Sequence, residues 1–572
     1  MKWIALSIVL VGAALSIVVV LWPDSGSSPL ADYDALRRAR AGLPSSANDL
    51  DELAKRDSAL GWQAGILAAR AHAAAADFVG AAERLQRALE VRSTTALRAE
   101  LGTWLEAAGL RAEAKAEWSK LLPKADAVEA MQRLEPDAVR LATVLVTAGK
   151  YADALPLVTP AKTGAARLAR ARALVGVGKA GEAVVEFAQY VATHKGETAV
   201  EIEYGRALER AGDSERALAI YRGLGAAGAY REGLLLESLG RVREAADALK
   251  RSSDSEAQWR AARLLESLGD AAGALAIYEK LAAGTHRVRD DAALRAVALL
   301  QASGKADRAA SLVAGLPASF RWILGSYTPP TFAESPSSSA TSIADVLRVA
   351  DALAKRGEID WATTELEFAL DGVDEAERKA IAQWFARHGD PRRGFQLGSA
   401  LLATEPSREV YELAYPRAFW SSVTAWAEVY NVDPYLILAV VREESNYLST
   451  AVSSSNAQGL MQLLPSTAKW IAESKLKLVY TADLPFDADA NLRMGTWYLS
   501  YLTDYYNGDV ARAVAAYNGG NGNVDRWTEA AKATRRADLP GALVSIETRE
   551  YLTKVLNSWL IYRALYSTDP TP

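Results

Sequence analysis

Hydrophobic and polar residues follow a helical period between residues 31 and 327. Apolar side chains recur at spacings of three and four, which places them on one face of a helix. Each amphipathic stretch ends at a glycine, and a second stretch of the same kind follows. Three segments show this best: EYGRALERAGDSERALAIY from Glu203, EGLLLESLGRVREAADAL from Glu232 and WRAARLLESLGDAAGALAIY from Trp259. The pattern predicts a series of helical hairpins with a glycine in each turn.

The turn glycines return at a fairly regular interval, separated by 29, 34, 28, 29 and 35 residues. They are Gly149, Gly178, Gly212, Gly240, Gly269 and Gly304. This period resembles that of tetratricopeptide repeats in a degenerate form. One hairpin cannot bury its apolar stripe alone, so neighbouring hairpins must stack. We therefore predict an all-α fold that begins with a tetratricopeptide-like α-solenoid over residues 31–327. The solenoid would either present a concave binding face or serve as a plain helical scaffold.

Changes of composition predict the other boundaries. The Pro- and Ser-rich stretch at 328–342 is typical of a linker or a long surface loop, and further helical hairpins are expected at 343–410. From residue 411 Tyr and Trp become frequent and Gly-Asn turns appear. We assign residues 411–572 to a second domain, because a chain of this length exceeds what one hydrophobic core usually supports.

The N-terminus carries an apolar run without a charge at residues 3–22, long enough to cross a bilayer as a helix. Lys2 precedes the run and Asp24 follows it, which favours an N-terminus in the cytoplasm. We expect a signal-anchor or transmembrane helix at 1–22, a linker at 23–30, and a periplasmic body anchored to the inner membrane. Small residues after the run leave cleavage as a signal peptide open.

Composition narrows the classes of chemistry. The formal net charge of −5 argues against nucleic acid as the main partner. The chain has no cysteine, which excludes disulfides, thiolate metal sites and a cysteine nucleophile. Its histidines are far apart in sequence, so we predict neither a metal site nor histidine-based catalysis. These histidines are His72, His194, His286 and His388.

Two adjacent glutamates end an apolar run in the C-terminal domain. Asp433 and Pro434 are an N-cap and a first-turn residue, and the run that follows covers every face of the predicted helix. Adjacent helical residues point about 100° apart, so Glu443 and Glu444 cannot face one substrate bond as a pair. Periodicity does not choose between them, and both could simply pair with Arg442 or cap the helix.

Four short motifs of this domain occur in a characteristic order. They are REES from Arg442, GLMQLLPSTA from Gly459, AYNGG from Ala516 and IETREYLTKVL from Ile546. Their order and approximate spacing resemble those of the soluble lytic transglycosylase family, the SLT domain, over roughly residues 411–566. The resemblance implies a lysozyme-like α domain. The helical region before it is also similar to the superhelical region of the large members of that family.

The resemblance implies a single catalytic acid. In that family the glutamate directly before the motif serine is the acid, which assigns the role to Glu444 and leaves Glu443 at a position that is commonly Gln. The enzyme would cleave the β-1,4 bond between N-acetylmuramic acid and N-acetylglucosamine in peptidoglycan glycan strands. The C6 hydroxyl of the muramoyl residue would close a 1,6-anhydro ring, and no metal or organic cofactor would be needed. A glutamate in apolar surroundings keeps its proton near neutral pH, which fits this role.

The resemblance also implies roles for other motif residues. The substrate-binding set would be Ser453, Met461, Gln462, Tyr517 and Asn518. Within it, Ser453 would lie near the N-acetyl group of the substrate, and the Tyr517 hydroxyl would bond the catalytic carboxylate. Glu547 and Tyr551 would form a pair that supports the cleft from behind.

Two positions depart from the pattern of the family. Asn456 stands where the family often has Gly, and Leu464 stands where it often has Met. Asparagine tolerates left-handed backbone geometry, so the turn can be kept. The departures therefore concern the fine structure of the substrate more than the reaction.

Three other interpretations stay open. A hydrolytic muramidase would add a second carboxylate that works with water, and Asp487 and Asp489 are candidates that could equally cap the next helix. An envelope scaffold would use the repeats to recruit protein partners, with the glycosidase domain secondary. The third is a repeat array that binds other ligands without catalysis.

Overall fold

The structure is a computed structural model that describes residues 30–41, 47–56, 58–160, 162–334, 343–532 and 539–568. These residues form helices, turns and isolated β-bridges and no β-strand, so the expected all-α class is confirmed. The predicted membrane helix and nearly all of the linker after it lie outside the described residues. Among the helices that are described, none is both long and apolar enough to span a membrane.

The described chain packs as two compact units. Unit 1 consists of the described residues up to Ala148 together with 343–377, and unit 2 consists of 149–334 together with 378–568. The block expected at 343–410 is therefore shared between the two units. This division differs from the linear series of domains that the sequence suggested.

Contacts within each unit give the reason for this division. In unit 1, Arg92 pairs with Glu367 at 2.8 Å. In unit 2, Phe395 packs edge-on against Tyr447 with ring centroids 5.4 Å apart. One hydrophobic core also runs across residue 411, with Phe395 on one side of it and Ala414 on the other. The boundary at 411 stays a prediction, since packing does not interrupt the chain there.

The helices are numbered along the chain. The first group belongs to unit 1 and comprises α1 (Ala31–Arg40), α2 (Ala47–Leu53), α3 (Ala59–Ala74), α4 (Phe78–Val91), α5 (Thr95–Ala107), α6 (Arg111–Ser119), α7 (Ala125–Leu134) and α8 (Ala138–Thr147). The second belongs to unit 2 and comprises α9 (Tyr151–Ala154), α10 (Gly164–Gly176), α11 (Ala180–Thr193), α12 (Thr198–Arg210), α13 (Ser214–Gly223), α14 (Ala229–Ser238), α15 (Val242–Lys250), α16 (Ser255–Ser267), α17 (Ala271–Ala282), α18 (Arg289–Ala302), α19 (Ala306–Ala314) and α20 (Ala318–Ile323). A 3₁₀ turn at Leu155–Val158 follows α9.

The chain then returns to unit 1 with α21 (Ala344–Lys355) and α22 (Ile359–Ala369). The remaining helices are α23 (Glu375–Arg387), α24 (Pro391–Leu401), α25 (Arg408–Ala414), α26 (Trp420–Tyr430), α27 (Pro434–Ser445), α28 (Pro465–Lys469), α29 (Ala488–Tyr505), α30 (Val510–Gly519), α31 (Asn521–Ala530), α32 (Leu539–Ala542) and α33 (Ile546–Tyr566). A π-helical segment at Trp470–Leu476 continues α28, and a 3₁₀ turn at Leu484–Phe486 precedes α29.

The predicted helical hairpins are present. Helices α12 and α13, α14 and α15, and α16 and α17 pack against each other in pairs across short turns. All six predicted turn glycines have a positive φ, between 72° and 83°. A residue with a Cβ rarely adopts this conformation, which is why glycine marks the turns.

Ion pairs link neighbouring hairpins at the spacing of one repeat. The partners are 29 to 31 residues apart in sequence. They are Arg70–Glu100 in unit 1, and Arg172–Glu203, Arg295–Glu266 and Arg308–Glu279 in unit 2. The repeat period therefore aligns opposite charges on adjacent hairpins as well as apolar faces.

The C-terminal part of unit 2 is organised around α27. Residues 436–441 of this helix are at most 2% exposed, as expected for a helix that is apolar on every face. Helix α33 packs along α27, and α20 packs against α33. At that contact the Ser319 N–H donates to Asn557 Oδ1 at 2.8 Å. Helix α33 therefore contacts both the helix that carries the two glutamates and the preceding helical hairpins.

Candidate active site

The helix that carries both glutamates begins and ends as its sequence predicts. Asp433 caps α27 by accepting a first-turn N–H at 2.8 Å. The helix ends at Ser445, because Asn446 takes a left-handed conformation with a φ of 49°. Glu443 and Glu444 therefore stand in the last turn of a helix whose body is buried.

Glu443 is an ion-paired residue. Its Oε1 is bound by the guanidinium of Arg442 and accepts a hydrogen bond from the Ser558 hydroxyl of α33 at 2.6 Å. The Arg442 guanidinium lies over the rings of Tyr415 and Phe395, 4.2 and 4.9 Å from their centroids. Both charges thus have partners inside the protein, which agrees with a structural role for Glu443.

Glu444 has a different environment. Its side chain is partly exposed, yet burial raises its pKa from 4.5 to about 7, because the carboxylate is poorly solvated. The Tyr551 hydroxyl opposes this shift, and the charges of Glu443 and Glu547 add to it by repulsion. No arginine or lysine in the described part of the chain pairs with this carboxyl group. A carboxyl that holds its proton near neutral pH and remains accessible can act as a general acid.

Two tyrosine hydroxyls lie near Glu444, and their partners differ from the expectation. The Tyr517 hydroxyl donates to the Met461 carbonyl oxygen at 2.9 Å, so the predicted bond from Tyr517 to the catalytic carboxylate is wrong. The reason is that the Met461 carbonyl lies in a buried turn and needs a donor. It is Tyr551 that acts directly on the Glu444 carboxyl, although its hydroxyl does not reach full hydrogen-bond geometry. Burial raises the pKa of both hydroxyls well above the usual value.

The turn of the GLMQ motif is fixed by close packing. Gly459 has a φ of 79°, and a Cβ there would lie 2.0 Å from the Pro485 carbonyl oxygen, so the position requires glycine. The Met461 side chain is fully buried, and its Sδ would lie 2.3 Å from a Cβ at Gly495. Met461 therefore shapes the turn from inside, and its place in the substrate-binding set stays a prediction.

Ser453 and Gln462 fold the segment around this turn. The exposed Ser453 accepts two backbone N–H groups of its own loop at 3.2 and 3.0 Å. Gln462 adopts a φ of 47°, and its Nε2 donates to the carbonyl oxygens of Gly459 and Ala451 at 2.8 and 3.2 Å. Both side chains have local structural partners, and their contacts with a saccharide stay predictions.

Asn518 and Glu547 come together where α30 meets α33. Asn518 Oδ1 accepts the Thr548 hydroxyl at 2.9 Å, and its Nδ2 lies 3.5 Å from Glu547 Oε1, beyond the ordinary range of a hydrogen bond. Glu547 is exposed and acts on Glu444 only through its charge. Glu547 and Tyr551 stand one turn apart on α33, which brings both groups to the same side of the site.

The carboxylates considered for a hydrolase are engaged elsewhere. Asp487 caps α29, with Oδ1 accepting the Ala490 N–H at 2.8 Å, so its capping role is confirmed. Asp489 Oδ1 accepts the indole N–H of Trp426 at 3.0 Å. In the ranges that the structure describes, no group of three or more histidine or acidic residues is placed to hold a metal ion.

Asn491 is a residue of the site that the sequence motifs miss. It is fully buried, and its Oδ1 accepts the Met461 N–H at 2.8 Å. Its Nδ2 donates to the carbonyl oxygens of Pro485 and Gln458 at 2.8 and 3.1 Å. Asn491 thereby joins α29 to the GLMQ turn. The signal available in the sequence was an amide side chain one helical turn after the Asp487 cap.

A row of aromatic rings leads from Tyr517 along α29 and was also missed. Tyr517 lies 5.4 Å from Tyr498, which stacks at 6.2 Å with Tyr501, and Tyr501 stacks at 5.5 Å with Trp497. Trp470 of the π-helical segment meets Trp497 edge-on. Tyr501 and Trp470 are more than a third exposed, at 37% and 38%. Exposed aromatic faces beside an acid are typical of a ligand-binding surface.

Residues 421–539 match the family model of the transglycosylase SLT domain. This part of the chain is an SLT domain. The matched residues include α27, the GLMQ turn and α29, and α33 lies just beyond them. The SLT domain therefore contributes Glu444, while the helix that follows the matched region contributes Tyr551 and Glu547.

Two curated relatives are similar to part of this chain. A protein of Haemophilus influenzae, provisionally named a soluble lytic murein transglycosylase, is 29% identical over 202 residues, which are 35% of this chain and 33% of the relative. The membrane-bound lytic murein transglycosylase C of Edwardsiella ictaluri is 34% identical over 167 residues, which are 24% of this chain and 45% of the relative. The chain thus matches less than half the length of these relatives.

The fold is similar beyond the SLT domain. The crystal structure of the 70 kDa soluble lytic transglycosylase of Escherichia coli superimposes with a TM-score of 0.61 over 95% of this chain and 93% of that chain. The sequence identity is 17%, so the likeness concerns the fold alone. It confirms the predicted fold class, a helical solenoid followed by a lysozyme-like α domain.

Proposed function

We propose that this protein is a peptidoglycan lytic transglycosylase. It would cleave the β-1,4 bond between N-acetylmuramic acid and N-acetylglucosamine and leave a 1,6-anhydromuramoyl end. The observation that carries the proposal is the contrast between two adjacent acids. Glu444 has a pKa raised to about 7 and no cationic partner among the described residues, whereas Glu443 is fully ion-paired. The SLT domain and the names of the relatives support the choice of substrate.

Glu444 acts first as a general acid. Its proton moves to the glycosidic oxygen as the bond from that oxygen to C1 of the muramoyl residue breaks, and positive charge develops at C1. Because burial raises the pKa of Glu444 to about 7, a large fraction of the molecules carry the proton at neutral pH. A positioned general acid contributes roughly 10²- to 10⁴-fold to the rate.

Glu444 then acts as the base. Its carboxylate takes the proton of the C6 hydroxyl as O6 attacks C1, and the new O6–C1 bond closes the anhydro ring. The acid is regenerated by this step. Attack by a group of the substrate itself is worth up to roughly 7–11 kcal/mol in favourable cases. The Tyr551 hydroxyl, which acts on Glu444 and is kept protonated by burial, stabilises the carboxylate between the two steps.

A hydrolytic muramidase is less favoured by the placement of the other carboxylates. Such an enzyme needs a second carboxylate as nucleophile or as base for a water. Glu443 is bound by Arg442. Asp487 caps α29, and Asp489 accepts the indole N–H of Trp426. Glu547 is exposed and acts on Glu444 through its charge, so among these carboxylates it is the candidate for a hydrolytic role.

We extend the proposal to location and partners. Residues 1–22 would anchor the protein in the inner membrane and place the described body in the periplasm. The apolar run at 3–22 supports this placement. The helical hairpins would contact glycan strands or envelope proteins, for which their repeated surface is suited.

Digestion of purified murein sacculi, read by mass spectrometry, tests the reaction. Wild-type protein should release 1,6-anhydromuropeptides, and Glu444→Gln should lower release at least 100-fold while the far-UV circular dichroism is unchanged. Glu443→Gln is the matched control and should keep most of the activity. Products with reducing ends that disappear in Glu547→Gln would establish a hydrolase, and no release by wild type would favour a scaffold. Equal loss in Glu444→Gln and Glu443→Gln would contradict the assignment.

A further inference from the structure

A small cavity in unit 2 lies beside the segment that leads into α33. Its volume is about 190 Å³, several times the share of one water molecule in the liquid. Helices α14 and α16 and the segment before α33 line it. The lining residues that matter below are Glu237, Trp259, Arg260, Arg263, Leu264 and Val544. None of them belongs to the proposed catalytic machinery.

Arg263 in this cavity lacks an acceptor. Within the described chain it makes no hydrogen bond and no ion pair. The acid that acts on it, Glu266, is already bound by Arg295 and by the Tyr278 hydroxyl. Burial lowers the pKa of Arg263, and the neighbouring charges of Arg549 and Arg295 do so too. An arginine stays charged in proteins, and Arg263 is only partly buried, so its donors are open to an anion that enters the cavity.

Two further polar groups of the cavity are also unsatisfied. Trp259 is 2% exposed, and its indole N–H has no acceptor in the described residues. Glu237 Oε2 is buried and receives no hydrogen bond from the described part of the chain, and the Nε of Arg260 lies 4.0 Å from it. Buried polar groups are normally satisfied. The cavity therefore offers donors without an acceptor and an acceptor without a donor.

We propose that this cavity binds the carboxyl end of a short peptide with small side chains. The terminal carboxylate would bind the guanidinium of Arg263, which presents a fork of donors suited to a carboxylate. The N–H of the last peptide bond would donate to Glu237 Oε2, and Leu264 and Val544 would contact the small side chains. Arg260 and Arg263 against Glu237 leave one net positive charge, which matches one carboxylate and disfavours a dianion such as phosphate.

The ligand follows from the proposed function, on which this step rests. Peptidoglycan strands carry short peptides with free carboxyl ends, so the ligand would be a stem peptide of the substrate. The site is connected to α33 through Trp259, because the Arg263 and Arg549 guanidinium groups both lie over the ring of Trp259, at 5.0 and 4.0 Å. Arg549 stands on α33 between Glu547 and Tyr551. Occupancy should therefore favour strands that carry peptides.

Isothermal titration calorimetry of the full chain with N-acetyl-D-alanyl-D-alanine tests the site. Wild-type protein should bind the acid at least tenfold more tightly than its C-terminal amide. Arg263→Gln should lose at least tenfold in affinity, and it should remain folded because Arg263 is partly exposed and makes no ion pair within the described chain. Arg243→Gln, which alters an exposed arginine of α15, is the matched control and should bind like wild type.

The other outcomes overturn the inference. Equal binding of acid and amide, or unchanged binding by Arg263→Gln, would show that Arg263 does not hold a carboxylate. Inorganic phosphate that competes as well as the peptide would indicate a general anion site. Binding of the L,L peptide alone would exclude a peptidoglycan stem as the source. Glu444→Gln should bind the peptide like wild type. The binding experiment can therefore fail or succeed separately from the murein digestion that tests the proposed reaction.

Discussion

The helical hairpins of unit 2 and the end of α27 differ in whether a poorly solvated acid has a cationic partner. In the hairpins, Glu232 is 3% exposed and is bound by Arg222 at 3.1 Å and by Arg251. At the end of α27, Glu444 is poorly solvated and has no such partner in the described chain. A buried acid with a partner has its charge compensated, whereas one without a partner costs stability and is a candidate for chemistry. The difference separates scaffold from site within one unit.

Helix α33 contacts both the paired acids of the hairpins and Glu444, which has no cationic partner in the described chain. Arg549 is 1% exposed, and its Nε donates to Asp291 Oδ2 of the hairpins at 2.9 Å. The same helix carries Tyr551, which acts on Glu444. The hairpins thus supply the counter-charge that seats α33, and α33 supplies the hydroxyl that Glu444 uses. The preceding hairpins are therefore part of what positions the acid.

Asp291→Ala should give the largest loss of stability. It removes the nearest acid of the buried Arg549 and leaves Glu256 at 4.0 Å, and breaking a buried pair costs about 3–5 kcal/mol. Hydrogen exchange of the α33 amides should show a free energy of local opening lowered by that amount. Asp290→Ala is the matched control, since Asp290 pairs with an arginine that is 41% exposed, and it should change opening by less than about 1 kcal/mol. Equal effects would show that α33 is not seated by this pair.

Glu444→Gln should change stability in the opposite direction. The folded pKa of about 7 lies above the ordinary value of 4.5, so the folded state is penalised as pH rises from 4.5 to 7. The full cost is about 3 kcal/mol above pH 7, and it is absent below pH 4.5. In urea unfolding followed at α27, the free energy of unfolding of the variant should therefore exceed that of wild type by about 3 kcal/mol at pH 8. At pH 4 the two should be equal. A gain at pH 4 of the same size would contradict a raised pKa.

The local elements of this fold were predictable because local patterns determine them. Gly212 and Gly240 mark turns through their own φ, and Asp433 caps α27 through its own first turn. The division into units was not predictable, because it depends on distant partners such as Tyr33, whose hydroxyl binds Glu365. That pair is 332 residues apart in sequence.

The sequence singles out the proposed acid, Glu444, but does not give the hydrogen-bond partners of the residues around it. Periodicity did not choose between Glu443 and Glu444, and the motif order did. The expected bond of the Tyr517 hydroxyl was wrong because it depends on which buried carbonyl needs a donor. Motifs record residue types, whereas hydrogen-bond partners are decided by packing.

Glu443→Gln should have the smallest effect on stability of these variants, and it distinguishes the role of Glu443 from that of Glu444. The amide can still accept the Ser558 hydroxyl, which lies 2.6 Å from Oε1, while Arg442 keeps the Ala414 carbonyl at 3.3 Å and the ring of Tyr415. Only a charge-assisted bond is lost, so the expected cost is about 2 kcal/mol. Because the charge of Glu443 raises the pKa of Glu444, the variant should lower that pKa, and the alkaline limb of its pH–rate profile should move to lower pH. A limb that moves upward, or a variant as inactive as Glu444→Gln, would mean that Glu443 takes part in the chemistry.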